Sequence, residues 1–475
     1  MDRPSGPGAT IVRPIGPAAD AVSRWLGWHA YRLSVGVLLE GRDARDVIEQ
    51  DLTGIRFSDP ADPATLTHDA SAPIGWEEVE CRVDAAARTV TLRAADGTER
   101  TAVHHGRYGC IVLPECEHAP RVPYEPPPPR AGASTRPELP WPHGCALDRG
   151  ALGADVDVAA IDAALARVVG DGKGRAAVVA HRGRLIAETY APGFHRDSIH
   201  PSWSMTKSLA GALVGRAVHE GWLTLDEPAP IPAWRAAGDP RGAITVDDLL
   251  RMSSGLDCPR GVTPWAAGGF HLDPYLGEPD VNAACAARPP RHPPGTNCAY
   301  QNTDPLLAAQ CAIDAAERHG IPRAEAPWTL LLDPLGIDSM QLSADTSGTF
   351  ILCGTSVATA QDWARFGQLV LDDGVWHGKR LLPEGWLAYA CTPAPADDEP
   401  VYGGALMWLA DGPLADDRAR IPAGGALAFG MLGQLTFVLP SHELVIVRMG
   451  HDWADEPILD AVAAIVAAVD PGRGD

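Results

Sequence analysis

Two pairs of short apolar runs, far apart in the chain, limit its fold more than any other feature. Ala176–His181 and Leu185–Tyr190 form a hairpin turning at Arg182-Gly183, and Gln434–Leu439 and Leu444–Met449 form a similar pair near the other end. Each run has strand length, is rich in β-branched or small apolar residues, and is bounded by turn residues. Between the pairs the spacing is helical or loop-like. Flanking them, 158–169 and 458–469 place apolar residues at helical intervals. Strands at both ends around a helical middle imply one antiparallel sheet built from distant segments, with the terminal helices on one face and the middle as a helical subdomain. The expected class is α+β.

Ahead of this lies a region of different character. Thr89–Ala94 and Glu99–His104 read as strands joined at Asp96-Gly97, a strong hairpin signal. A helix is expected over Ala44–Leu52 and a buried strand over Tyr108–Leu113. Together these suggest a small N-terminal α+β module at 21–122. Pro123-Tyr-Glu-Pro-Pro-Pro-Pro129 is a stiff polyproline stretch, suited to a spacer or a wrap over the surface, and opens a linker at 123–149. The main domain is then 150–475, and residues 1–20 are expected to be a disordered tail. No internal repeat is apparent.

The formal net charge is −22 and lysine and arginine do not cluster, so a nucleic-acid partner is not expected. No run reaches the roughly 18 to 20 apolar residues of a membrane helix, so no membrane partner is expected either. The first twenty residues lack the basic start and apolar run of a signal peptide, which points to a cytoplasmic protein. The ten cysteines are scattered, with no Cys-x-x-Cys pair, and read as reduced, small apolar residues. Sixteen histidines include no His-Glu-x-x-His and no ligand cluster, so neither metal nor cofactor is expected; His104-His105 reads as a solvated strand edge.

Lysine occurs only at Lys173, Lys207 and Lys379, and Lys207 alone has a serine three residues before it. In Ser204-Met-Thr-Lys207 the two side chains fall on one face at the start of a helix. Leu209, Leu213, Val214, Ala217 and Val218 continue that helix, and Gly221 stops it. Gly211 and Gly215 are expected to let another element approach closely. Unlike arginine, a desolvated lysine can lose its proton and act as a base, and the unpaired N–H groups of a first helical turn can face a developing oxyanion. The tetrad alone fits equally a serine N-cap with a lysine snorkelling to solvent. Pro294-Gly-Thr-Asn-Cys-Ala-Tyr300-Gln-Asn302 adds a phenol that could relay a proton and an amide that could orient lysine or substrate.

Ser204-x-x-Lys207 followed by Tyr300-x-Asn302 resembles the serine β-lactamase and penicillin-recognising enzyme superfamily, in its class C-type branch of esterases, D-peptidases and amidases. Leu249-Leu-Arg-Met-Ser-Ser-Gly255 and Ala358-Thr-Ala-Gln-Asp-Trp-Ala-Arg-Phe-Gly367 match the same branch, and the likeness covers about residues 150–470. That family's strand motif carries a lysine or histidine, whereas the matching stretch here, Ala428-Phe-Gly-Met-Leu-Gly-Gln434, has no basic residue. This form is similar to the 6-aminohexanoate-dimer hydrolase subgroup. So are Gly36–Arg42 with Asp51-Leu52, Tyr108–Pro114 and Pro140–Gly144.

The resemblance implies an acyl-enzyme on Ser204, with Lys207 as base and Tyr300 as proton relay. It makes the backbone N–H of Met431 the second oxyanion donor beside that of Ser204, with Asn302 assisting. It also implies a second tyrosine on a mobile loop, for which Tyr275 is the nearest match. The expected substrate is a small amide or ester, and a homodimer is admitted as an assembly. Two alternatives stay open: a β-lactamase or D-peptidase, which the missing basic residue disfavours, and a catalytically silent ligand-binding module. No Gly-x-Ser-x-Gly elbow is present, and Gly170–Gly174 lacks the spacing of a phosphate loop.

Overall fold

The computed structural model describes residues 20–469, except 54–56, 60–61, 68–71, 116, 130, 151, 154–155, 171–172, 259–272, 395–401, 413–419 and 453–454. The expected disordered tail therefore lies outside the described residues, apart from Asp20.

The first helix, α1 (Asp20–Ser34), has no counterpart in the sequence reading. Every residue from Ser23 to Gly36 is buried, including Arg24, His29 and Arg32. Polar residues on several faces break the apolar stripe that would announce a surface helix. Four antiparallel strands follow: β1 (Val79–Asp84), β2 (Thr89–Ala94), β3 (Glu99–His104) and β4 (Cys110–Val112), paired in that order. The β2–β3 hairpin turns where Asp96-Gly97 predicts, with Gly97 at φ 93°. Alpha-helical and wider turns continue one another over 44–52, where a helix is expected.

The main sheet follows the pattern that opened the analysis. Helix α2 (Val158–Gly170) leads into β5 (Gly174–His181) and β6 (Arg184–Tyr190). After the helical middle come β7 (Trp408–Leu409), β8 (Ala426–Gly430), β9 (Gln434–Leu439) and β10 (Leu444–Gly450). The spatial order is β7-β8-β9-β10-β5-β6, antiparallel throughout, so the two ends of the domain meet at the β10–β5 pair. Alternation along these strands separates two hydrophobic layers. Ala177, Val179, Leu444 and Ile446 pack with Ile161, Leu165, Ile458 and Val462, the last two on the terminal helix at Asp455–Val469. Ala176, Val178, Val445 and Val447 face the opposite layer, which holds Trp363 and Phe366.

That second layer also holds Trp25, Trp28, Leu33, Val90 and Ile111, so the N-terminal elements share one continuous core with the main domain. The proline-rich stretch runs along the surface and ends with Trp141 buried against the helix at Ala360–Leu371, where its Nε1 donates to Gln361 O at 3.4 Å. Among the described residues no helix is long and apolar enough to cross a membrane.

Candidate active site

Ser204 lies in the 3-10 turn Trp203–Met205, which opens directly into α3 (Thr206–His219). The turn is held from several sides. Ser202 N donates to Ser356 O at 2.9 Å, Trp363 Nε1 donates to Ser202 Oγ at 2.9 Å, and Thr206 Oγ1 donates to Trp203 O at 2.6 Å. Trp203 itself has φ 49°, a left-handed conformation uncommon for a bulky residue. Helix α3 is buried nearly all round, and its glycines explain how. A Cβ on Gly211 would collide with the carbonyl of Ala405, and one on Gly215 would lie 2.8 Å from the Trp386 ring.

Lys207 is 1% exposed. Its Nζ donates to Ser204 Oγ at 2.9 Å and to the carbonyl of Cys353 at 2.7 Å, and lies 4.9 Å from the centre of the Tyr300 ring. Among the described residues no carboxylate pairs with it. The amine is thus fixed by a hydroxyl, a carbonyl and an aromatic face. The snorkelling alternative is excluded, because the amine points inward onto the serine.

Tyr300 is half-buried, downstream of the turn at Gly295 (φ 72°). Asn302 is 2% exposed and occupies the cap position of α4 (Thr303–Arg318). Met431 follows the last residue of β8 and is partly exposed. The close approach of β8 to the 202–205 turn depends on Gly430, where a Cβ would collide with Ser202 O and come within 3.3 Å of Met205 N. The Gly430↔Gln434 pair closes β8 and β9 around a three-residue turn over 431–433.

Tyr275 is placed differently from the mobile-loop role the resemblance implied. It is 6% exposed and ends a 3-10 turn over Asp273–Tyr275. Its hydroxyl accepts from Cys353 Sγ at 3.3 Å, and burial pushes its phenol well above the usual value. It therefore stands behind Lys207, one residue removed through Cys353. Residues 259–272, ahead of this turn, lie outside the described residues.

Sequence reasoning missed two features. The Cys353 carbonyl is backbone and leaves no side-chain signature. The other is an aromatic wall: Trp408 packs with Tyr300 (4.9 Å between centres), Tyr402 (5.1 Å) and Phe429 (5.9 Å). Fourteen tryptophans spread along a chain read as core, and only the fold brings Trp408 beside Tyr300. Tyr300, Trp408 and Phe429 are all partly exposed, so the aromatic cluster is accessible.

Behind Asn302, in the first turn of α4, Asp304 is fully buried and accepts from Ser254 Oγ at 2.6 Å and Ser254 N at 3.3 Å. Burial outweighs these bonds and raises its carboxyl to about 7. A raised carboxylate stabilises the fold below the unfolded value, about 3.9, and that contribution is lost as pH rises toward the folded value. Stability of the wild type relative to Asp304→Asn is expected to fall between about pH 4 and pH 7 and then level off. Urea midpoints of both proteins across that range check this; parallel curves would contradict it. Among the described residues no group of three or more His, Cys, Asp or Glu side chains is placed to hold a metal.

Comparison with known proteins follows this geometry. A family model described as Beta-lactamase matches residues 161–469. The 6-aminohexanoate-dimer hydrolase of Paenarthrobacter ureafaciens is 26% identical over 298 residues, covering 57% of this chain and 70% of that protein. A crystal structure of a family VIII carboxylesterase superposes with a TM-score of 0.52 at 15% identity, covering 67% of this chain and 99% of that one. A penicillin-binding protein homologue from Caulobacter crescentus gives 0.50 at 18% identity, covering 67% and 99%. At these identities the two structures speak for the fold.

Proposed function

The chain belongs to the Beta-lactamase family, and from that premise we propose that it is a serine hydrolase cleaving a small amide or carboxylic ester through an acyl-enzyme on Ser204. The observation that carries the reading is the 2.9 Å contact between Ser204 Oγ and a Lys207 amine that is 1% exposed. With the amine neutral, the same contact runs from the serine hydroxyl to Nζ, and the serine loses its proton as it attacks the carbonyl. The N–H groups of Ser204 and Met431 stabilise the oxyanion, each worth roughly 3–4 kcal/mol where such donors have been measured. Tyr300 returns the proton to the leaving group, and water then releases the acid. Asn302, at the head of α4, helps to orient the substrate.

Tyr300 and Trp408, both partly exposed with centres 4.9 Å apart, favour an apolar group beside the scissile bond. No cation stands on β8 to hold a carboxylate there, which disfavours a penicillin. Hydrolysis of nitrophenyl butyrate and a matching anilide, set against benzylpenicillin, tests the reading. Turnover of the ester and anilide with slow or absent turnover of the penicillin is expected. Efficient penicillin turnover would favour the β-lactamase alternative, and no turnover of any would favour the silent module.

Tyr300→Phe separates the proton relay from binding. The expected loss in kcat is about 10²-fold or more for the anilide, whose amine must be protonated to leave. The nitrophenyl ester should lose far less, because nitrophenolate departs without a proton. Equal losses on both substrates would remove Tyr300 from that role.

A further inference from the structure

The residue before the nucleophile is held from outside the matched region 161–469 as well as from within it. Trp203, at φ 49°, is in a conformation that persists only where its surroundings over-determine it. Helix α1, outside that region, supplies two of its neighbours. The Trp28 indole stacks on Trp203 with centres 4.9 Å apart and planes 12° apart, and the Arg32 guanidinium carbon lies 5.0 Å from the centre of the Trp203 ring. Trp28 and Arg32 are each 1% exposed and Trp203 is 4% exposed.

Both supports are themselves anchored. Arg32 lies 3.5 Å from a carboxylate oxygen of buried Asp51, and Asp51 also accepts from Arg175 on β5. Trp28 meets Tyr275 edge-on at 5.8 Å, and the Tyr275 hydroxyl accepts from Cys353 Sγ. Cys353 in turn offers the carbonyl that takes the Lys207 amine. One helix thus touches the neighbour of the nucleophile and, through Tyr275 and Cys353, the acceptor that aims the base.

We propose that α1 is a positioning element of the active site, with Trp28 and Arg32 holding Trp203 in its left-handed conformation so that Ser204 Oγ stays within reach of Lys207. The N-terminal region is then part of the catalytic apparatus rather than an accessory to it. This inference rests on Ser204 being the nucleophile. Misplacing a reacting group by an ångström can slow a reaction by about 10²-fold, so loss of the stack should appear in the rate of attack.

The test compares the rate at which a fluorophosphonate probe labels Ser204 in full-length variants, normalised to the folded fraction by circular dichroism. Trp28→Leu, which keeps an apolar side chain but loses the stacked ring, is expected to slow labelling about ten-fold or more, and Trp28→Phe to recover most of the rate. In a Trp203→Gly background, where φ 49° needs no support, Trp28→Leu should slow labelling by less than about two-fold further. Equal rates for wild type and Trp28→Leu overturn the positioning role, as does the same ten-fold loss in the Trp203→Gly background. If Trp28→Leu does not fold, Arg32→Met carries the same comparison, and an unchanged rate per folded molecule there overturns the proposal. A wild type that is not labelled at all overturns the nucleophile assignment, and the positioning role with it.

Discussion

Lys207→Met is expected to fold normally and to lose about 10³-fold or more in kcat/KM, with Ser204→Ala falling at least as far. The argument is geometric. At the resting site Ser204 Oγ is held by the Lys207 amine at 2.9 Å. Removing either partner leaves the oxyanion donors and the aromatic wall in place, so a residual rate above that of water should survive. Because the two groups act as one unit, the double variant should be no worse than the poorer single variant. Lys207→Arg should be nearly as poor as Lys207→Met, since a guanidinium keeps its proton and cannot accept one from the serine. Steady-state rates on a nitrophenyl ester, with circular dichroism to confirm folding, check these expectations. A Lys207→Met protein that retains about a tenth of the wild-type rate would contradict them.

Asp51→Asn should be the most destabilising polar substitution in the chain, by about 3–5 kcal/mol. Asp51 is fully buried and faces Arg175, Arg42 and Arg32, of which Arg32 and Arg175 are themselves buried. Burial alone would push its carboxyl up, but the charges of Arg175 and Arg32 and the bond from Arg42 outweigh it and hold the group well below the usual carboxylate range. Its contribution to stability is therefore present above the unfolded value, about 3.9, and is lost as pH falls toward the folded one. Asparagine keeps the shape but leaves the guanidiniums with Glu40, bonded to Arg42 at 3.3 Å, as the nearby carboxylate. Combining Asp51→Asn with Arg175→Gln should recover part of the loss, because it removes one of the stranded charges. Urea midpoints for the three proteins decide the matter. A loss below about 1 kcal/mol for Asp51→Asn would mean that the cluster is solvated rather than buried.

What could be read from the sequence follows from which interactions leave a local pattern. The two strand pairs were legible because each is a pair of short apolar runs bounded by turn residues, whereas the register that sets Arg448 opposite Ala177 belongs to the assembled sheet. Ser204 and Lys207 were legible because helical geometry itself places i and i+3 together. Met431 was singled out through the resemblance alone, and it directly follows the last residue of β8. Helix α1 was not legible: Ser23, Arg24, His29 and Arg32 interrupt its apolar pattern, and their burial depends on partners such as Asp51 and Arg100 that lie far along the chain. Tyr275 carried a motif-level likeness, but its burial against Trp28 and Cys353 is a property of the assembled core. The Trp408 wall likewise arises only when β7 and β8 close beside the Tyr300 segment.

Intact-mass analysis after treatment with a fluorophosphonate, followed by peptide mapping, tests the central claim most directly. The account predicts one adduct per chain, on the peptide bearing Ser204, absent from Ser204→Ala and formed far more slowly in Lys207→Met. An adduct on another residue, or labelling of Ser204→Ala at the wild-type rate, would contradict it.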